Sequence, residues 1–308
     1  MTTLRVGTRG SDLAVTQTRW LCDQLRAAVP SLEVEEIIIK THGDVVQDRP
    51  FDADWPVGSF VSALEQALVQ GEVDFAVHSY KDLPSDSPEP LVVAAIPPRE
   101  DPRDVLVTRE HQVDLDHLPS GFKIGTGSPR RMAQMRRLGD VVVEPIRGNV
   151  PTRLAMLDEG FDAVVLAAAG LSRLGIQPDH AMPLPIDRFV CSPAQGALAV
   201  QVRAGSEAEG IVRAVDDART RRGVAAERAY MARIEAGCHT PMAAYGIVED
   251  DDHVHLRAHL FSDDGSRLAE GEERGDDPVA VGQELGARLL AELGPRWRHD
   301  PPRLGHAR

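Results

Sequence analysis

The sequence predicts two α/β lobes with a cleft between them, followed by a smaller α+β domain. Three observations carry that expectation. Short apolar strands alternate with helical patterns from Leu4 to Ile96 and again from Val105 to Leu166, which indicates mostly parallel sheets. Pro97-Pro98 separates the two blocks as a hinge would. From Met242 onward the pattern changes to the alternation of an antiparallel sheet.

The elements follow in order. Leu4 to Gly7 reads as a first strand. Ser11 caps a helix running to Ala28, with Leu13, Trp20, Leu21 and Leu25 at helical spacing and Cys22 as a core residue. Val34 to Lys40 is an isoleucine-rich strand, Phe60 to Gln70 a helix stopped by Gly71, and Asp74 to His78 and Leu91 to Ile96 are strands. Between Thr41 and Gly58 a stretch with aspartates, two prolines and a tryptophan has little periodicity and reads as a lid. The second block has strands at Val105 to Thr108, Lys123 to Gly125, Val141 to Ile146 and Ala163 to Leu166, with helices starting at Ser128 and spanning Val150 to Glu159. After Pro193 come a strand at Leu198 to Val202 and two helices, one of them over Gly223 to Ala236. Strands at Met242 to Val248 and Val254 to Leu260 and a last helix over Val279 to Leu293 follow. The tail from Trp297, with Pro301 and Pro302, is expected to be disordered.

Length and composition bound the function. At 308 residues the chain exceeds one ordinary core and fits two or three domains. Its 42% hydrophobic and 27% charged residues suit a soluble globular protein, and 4% aromatics are too few for a base-stacking platform. A net charge of −14 repels nucleic acid and anionic membranes. A local arginine cluster set against that field suits a small polyanionic ligand in a cleft. The three cysteines, Cys22, Cys191 and Cys238, form no Cys-x-x-Cys pair, so neither a disulfide framework nor a thiolate zinc site is implied. No apolar leader or membrane-length run stands out, which suits a reducing cytosol. The histidines show no metal-ligand spacing, and His253 and His255 read as exposed on a strand.

Three strand-to-helix junctions share one design: Arg9-Gly10-Ser11, Gly125-Thr126-Gly127-Ser128-Pro129-Arg130-Arg131, and Arg147-Gly148-Asn149-Val150-Pro151-Thr152-Arg153. Helix N-termini favour anions, glycine admits a ligand close to the backbone, and arginine adds bidentate recognition of carboxylate or phosphate. Each junction alone reads more simply as a capped helix with a solvated arginine. Arginine opposes the dipole at a helix start, so three together favour an anion site. No Gly-Lys-Ser/Thr run supports a nucleoside triphosphate.

The segment His78-Ser79-Tyr80-Lys81-Asp82 packs a base, hydroxyls, a cation and a carboxylate behind a buried strand. His78 reads as a core histidine. Asp82 is either a surface partner of Lys81 or a cleft carboxylate that stabilises a developing cation. Cys238, in Gly237-Cys238-His239-Thr240-Pro241, lies at a predicted helix-ending turn. A lone cysteine is usually a core residue, but a thiol in a loop is also a candidate for covalent chemistry.

These segments carry a resemblance. The chain resembles the porphobilinogen deaminase (hydroxymethylbilane synthase) family from Arg5 to about Leu293. The matching runs, in order, are Thr8-Arg9-x-Ser11, Ala76-Val77-His78-Ser79-x-Lys81-Asp82-x-Pro84 and Arg99-Glu100-Asp101-Pro102-Arg103-Asp104. They continue with Gly125-Thr126-x-Ser128-x-Arg130-Arg131, Arg147-Gly148-Asn149-Val150-x-Thr152-Arg153 and Ala169-Gly170-Leu171-x-Arg173-Leu174. Gln195-Gly196-Ala197, Ala226-Glu227-Arg228 and Gly237-Cys238-x-x-Pro241 complete the set.

The resemblance implies two lobes like those of type II periplasmic binding proteins plus a small α+β domain. The expected division is 1–97 with 197–216 for the first lobe, 101–190 for the second, and 218–308 for the domain carrying the cysteine. It implies head-to-tail condensation of four porphobilinogen molecules with loss of ammonia on a covalent dipyrromethane cofactor, then hydrolytic release of hydroxymethylbilane. By resemblance the cofactor hangs by a thioether from Cys238. Lys81, Thr126, Ser128, Arg130 and Arg131 hold it; Arg9, Ser11, Arg147 and Arg153 hold substrate side chains; Asp82 is the catalytic carboxylate. The implied protein is a cytoplasmic monomer of porphyrin and heme biosynthesis, with no metal and no nucleic-acid or membrane partner. Two departures stand out: Ala53-Asp54-Trp55-Pro56-Val57-Gly58 replaces the family's lysine- and glycine-rich lid, and Ala194 replaces a glycine. The alternative is a divergent copy acting as a cytosolic anionic-ligand-binding module, which would have no need of a covalent thiol facing the cleft.

Overall fold

The structure is a computed structural model that describes residues 2–40, 61–85, 87–234, 240–294 and 297. The expected lid (41–58) and Cys238 lie outside the described residues.

The first sheet runs in the order β2-β1-β3-β10-β4, with β1 (Thr2–Thr8), β2 (Leu32–Ile38), β3 (Phe75–Ser79), β4 (Leu91–Ala95) and β10 (Leu198–Arg203). β1 pairs in parallel with β2 and β3, whereas β10 lies antiparallel between β3 and β4. The second sheet repeats this plan as β7-β6-β8-β5-β9, from β5 (Asp104–Thr108), β6 (Phe122–Gly125), β7 (Val141–Glu144), β8 (Ala163–Ala167) and β9 (Ala181–Pro183). Here β5 is the antiparallel member. Each sheet is therefore mixed, because the strand that arrives across the hinge enters its sheet from the opposite end. These are the two similar α/β lobes that the sequence predicted.

The helices are α1 (Asp12–Ala28), α2 (Ser62–Gln70), α3 (Pro129–Met135), α4 (Val150–Ala155), α5 (Ala168–Arg173), α6 (Glu207–Val212), α7 (Ala218–Arg233) and α8 (Pro278–Leu293). In α1 the buried face is Gln17, Thr18, Leu21, Cys22 and Leu25. Trp20, expected in that stripe, is 39% exposed because it falls on the helix's outer side. Leu21, Cys22 and Leu25 pack with Phe75, Val77 and Val200 to form the first lobe's core. The second sheet has a core on each face, one around Leu106, Ile124 and Met135 and one around Val107, Val164 and Leu166.

The third sheet is antiparallel, β11 (Met242–Val248), β12 (Val254–Phe261) and β13 (Leu268–Gly275), covered by α7 and α8. β13, with charged residues at alternate positions, carries little of the apolar signal by which β11 and β12 were legible. Gly223 on α7 and Gly246 on β11 let their backbones meet, since a Cβ on either would strike the other's carbonyl. Trp297, expected to begin the tail, is buried in this core with its backbone N–H bonded to the Gly294 carbonyl, and the rest of the expected tail (298–308) lies outside the described residues. His253 and His255, expected to be exposed, are half-buried beside Asp251, Asp276, Glu249 and Glu272. Among the described residues no helix is long and apolar enough to cross a membrane, and no cluster of metal-ligating side chains occurs.

Candidate active site

The three expected junctions all sit at strand C-terminal ends. Ser11, Ser128 and Asn149 cap α1, α3 and α4 by accepting from the backbone N–H groups of Ala14, Arg131 and Thr152. The last two helices have seven and six residues, so their dipoles are small and the guanidinium groups dominate the local field.

Arg130 and Arg131 are buried, at 4% and 5% exposed, and both pair with Asp104 at the start of β5. Arg130 Nη1 donates to Asp104 Oδ2 at 2.7 Å, and Arg131 Nη2 to Oδ1 at 2.6 Å. Arg130 is also held by Gln134 Oε1 and the Val190 carbonyl, and Arg131 by the Val165 carbonyl. Burial alone would raise the Asp104 carboxyl; the two guanidinium groups overcome this and hold it well below the usual carboxylate range. Two arginines share one carboxylate, so the cluster keeps an excess of positive charge.

Lys81 and Asp82 lie on a 3₁₀ turn, Tyr80–Asp82, directly after β3. Lys81 Nζ reaches Gln195 Oε1 at 3.4 Å, and Arg131 Nη2 reaches the same atom at 3.4 Å. Burial within the protein, with Arg131 and Arg130 nearby, pushes the Lys81 ammonium below the ordinary lysine range. Its side chain keeps accessible surface toward the cleft, so water there softens that shift. Asp82 is exposed, and its charge is felt by both Lys81 and Arg153.

Arg153, at the end of α4, has a buried Nε with no hydrogen-bond partner. Burial and the neighbouring Arg131 push its guanidinium below the ordinary range, and Asp82 partly offsets this. A cation destabilised in this way is one that an anionic ligand would relieve. Thr126 is buried, and its hydroxyl accepts from the Ser128 N–H at 3.3 Å. Arg9 is half-buried in the first lobe, and Arg147 is exposed at the rim of the second. His78 is buried; burial and the charge of Arg9 lower its imidazole to about 4, so it is neutral near pH 7.

Sequence reasoning gave no role to five residues that organise this site. Asp104 and Gln195 bridge its cations. Arg99 and Glu227 tie the hinge to α7, with Arg99 Nε donating to the Gln195 carbonyl at 2.8 Å. Arg228 lies over the Tyr80 ring, 4.8 Å from its centroid, and donates to the carbonyls of Leu83 and Pro84, which fixes the exit of the Lys81-Asp82 turn. The available signal was the acids within the runs Arg99-Glu100-Asp101-Pro102-Arg103-Asp104 and Ala226-Glu227-Arg228, but which arginine each acid meets is a long-range matter.

Residues 4–209 match the family model described as porphobilinogen deaminase, dipyromethane cofactor binding domain, and residues 222–291 match porphobilinogen deaminase, C-terminal domain. Similar curated proteins include the porphobilinogen deaminases of Nocardia farcinica, 47% identical over 96% of this chain and 87% of that one, and Bacillus subtilis, 40% identical over 96% and 94%. That of Brevibacillus brevis is 40% identical over 94% of both chains. Among solved structures, the BenM effector binding domain with benzoate covers 68% of this chain and 90% of its own, at 16% identity and a TM-score of 0.41. With family models matched across both lobes and the C-terminal domain, and relatives of at least 40% identity along nearly its full length, the chain belongs to the porphobilinogen deaminase family.

Proposed function

We infer that the chain is an active hydroxymethylbilane synthase, a transferase that joins four porphobilinogen molecules head to tail, releases ammonia and then frees the linear tetrapyrrole by hydrolysis. Family membership supports the reaction class. The observation that carries the reading onto these residues is the cation excess of Lys81, Arg130, Arg131 and Arg153 around Asp104, beside the exposed carboxylate of Asp82.

The residues fit the dipyrromethane cofactor of the family. Its acetate and propionate groups would meet Lys81 and Arg131, with Arg130 behind them and Thr126 and Ser128 on the adjoining loop. Cys238 is the proposed thioether anchor on the strength of its motif. When bound, the cofactor supplies the first nucleophilic pyrrole. Arg9, Ser11, Arg147 and Arg153 are proposed for the substrate-binding role, the buried Nε of Arg153 having no hydrogen-bond partner.

Asp82 does the central electrostatic work in this proposal. Loss of ammonia from the substrate's aminomethyl group leaves a cationic azafulvene. As an exposed carboxylate, Asp82 is suited to stabilise that cation by accepting from the pyrrole N–H. Asp82 in turn favours the charged forms of Lys81 and Arg153, which bind the carboxylates of the ligands. The division into 1–97 with 197–216, 101–190 and 218–308 is proposed as the set of moving units, in a cytoplasmic, monomeric enzyme of porphyrin and heme biosynthesis. The relatives named above carry the enzyme's name, and none supports the binding-module alternative.

Two measurements test this. The intact mass of the wild type should exceed its polypeptide mass by two linked pyrrole units, and Cys238→Ser should lack the addition. Asp82→Asn should lose about 10²–10⁴-fold in turnover with an unchanged melting temperature. Near-normal turnover in that variant would remove Asp82 from the catalytic role.

A further inference from the structure

Gln195 lies in the crossover that leads from β9 back to β10, and it is 1% exposed. Its side-chain nitrogen is anchored on one side: Nε2 donates to the Pro102 carbonyl at 2.7 Å and to Asp104 Oδ1 at 2.8 Å. Those two short bonds fix the amide's orientation and turn its oxygen toward the cleft cations. There Oε1 accepts from Lys81 Nζ of the first lobe and from Arg131 Nη2 of the second, each at 3.4 Å. Its main chain is fixed as well, the carbonyl accepting from Arg99 Nε at 2.8 Å.

The asymmetry has a physical meaning. The donor side is short and firm. The acceptor side is long, so each contact is worth less than an ordinary hydrogen bond. Two cations from opposite lobes converge on one neutral oxygen that holds them only weakly. A carboxylate oxygen arriving from the cleft would bind both more strongly, because those bonds would be charge-assisted.

We propose that Gln195 is a positioning residue: its anchored amide keeps Lys81 and Arg131 aimed at a single point, and yields them to a ligand carboxylate at the cost of two weak contacts. The cleft then meets its polyanionic ligand already arranged, which lowers the cost of ordering two long side chains on binding. This inference rests on the reading that Lys81 and Arg131 take cofactor carboxylates. The charged groups facing Lys81 are Asp82 and Asp104, which favour its ammonium, and Arg131 and Arg130, which oppose it. Without the Gln195 oxygen the balance tips against the ammonium.

The test uses full-length chain produced in cells that make no porphobilinogen, and follows covalent mass gain after porphobilinogen is added, from pH 6 to pH 9. Gln195→Met is expected to load about tenfold more slowly than wild type, the cost of ordering two long side chains only when the ligand binds. The alkaline limb of its loading profile should move to lower pH, since Lys81 then loses its proton sooner. Lys81→Met should also load slowly, and Gln195→Met should cost less in the Lys81→Met background than in the wild type, because only the Arg131 contact then remains to be lost. A folded Gln195→Met that loads at the wild-type rate overturns the proposal, and so does slower loading with an unmoved alkaline limb. If Gln195→Met does not fold, Gln195→Asn, whose amide is set back by one methylene, carries the same expectations. A wild-type chain that gains no mass at all overturns the cofactor reading and this role with it, whereas a failure confined to the variants leaves the cofactor reading intact.

Discussion

Arg99 and Glu227 form a two-point ion pair across the seam between the hinge and the C-terminal domain, Nη1 to Oε1 at 2.5 Å and Nη2 to Oε2 at 3.2 Å. Glu227 is fully buried, and its oxygens also accept from the backbone N–H groups of Ala194 and Gly246. One carboxylate thus fastens the hinge, the crossover and β11 to α7. Glu227→Ala leaves a nearly buried guanidinium without a counter-ion and two backbone donors without an acceptor. The expected cost is about 3–5 kcal/mol, read from the midpoint of urea unfolding. Replacing both Arg99 and Glu227 with apolar residues should cost less than Glu227→Ala alone, because no charge is then stranded.

Ala194 adopts φ 59°, the left-handed region, while its N–H donates to Glu227. A Cβ is disfavoured there by about 1–2 kcal/mol. Ala194→Gly should therefore stabilise the protein by about 1 kcal/mol, less the extra freedom glycine gains in the unfolded chain. Gly196, two residues on at φ 86°, should show the reverse, since a Cβ would collide with the Glu100 carbonyl. Thermal melts of Ala194→Gly and Gly196→Ala should shift in opposite directions.

Two buried histidines set an acid limit on stability. Burial lowers His78 to about 4, with Arg9 adding to the effect; burial lowers His259 to about 4, with Arg257, Arg130 and Arg137 adding. The unfolded chain takes up these protons near pH 6.5, ahead of the folded one. Their contribution is complete above pH 6.5 and is lost as the pH falls toward 4, by up to about 3 kcal/mol each. His259→Leu should flatten the fall in unfolding free energy between pH 6.5 and pH 4 by about one proton's slope. An unchanged slope would show that His259 is charged in the folded protein.

Arg153 combines a burial cost with a proposed binding role. Its Nε is buried without a partner and Arg131 opposes its charge. Arg153→Met should raise the melting temperature of the cofactor-free chain, with about 1–3 kcal/mol of unsatisfied burial removed. The same variant should show a raised KM for porphobilinogen. A variant that loses stability in the free chain would mean that the guanidinium is held better than its geometry shows.

The order of elements was legible because local pattern specifies it. Ser11, Ser128 and Asn149 stand where short-range capping chemistry requires them, and apolar runs such as Val105 to Thr108 have few alternatives to a buried strand. β13 was missed because charged residues alternate along it, and its partner β12 supplies its pairing from a distance in sequence. The Lys81-Asp82 turn and the arginine loops were legible as motifs.

By itself the sequence determined which groups this protein can bring to a polyanion: arginines at strand ends, a lysine–aspartate turn behind a buried strand, and a cysteine in a glycine–proline loop. Those follow from residue identity and short-range spacing. Only the tertiary structure decided which charges meet. Asp104 pairs with Arg130 and Arg131 from 26 and 27 residues away, Gln195 reaches Lys81 across 114 residues, and Glu227 closes on Arg99 across 128. Such pairings arise when the chain crosses between the lobes and back and carries these groups out of water, where an unpaired charge is costly and each must find its partner.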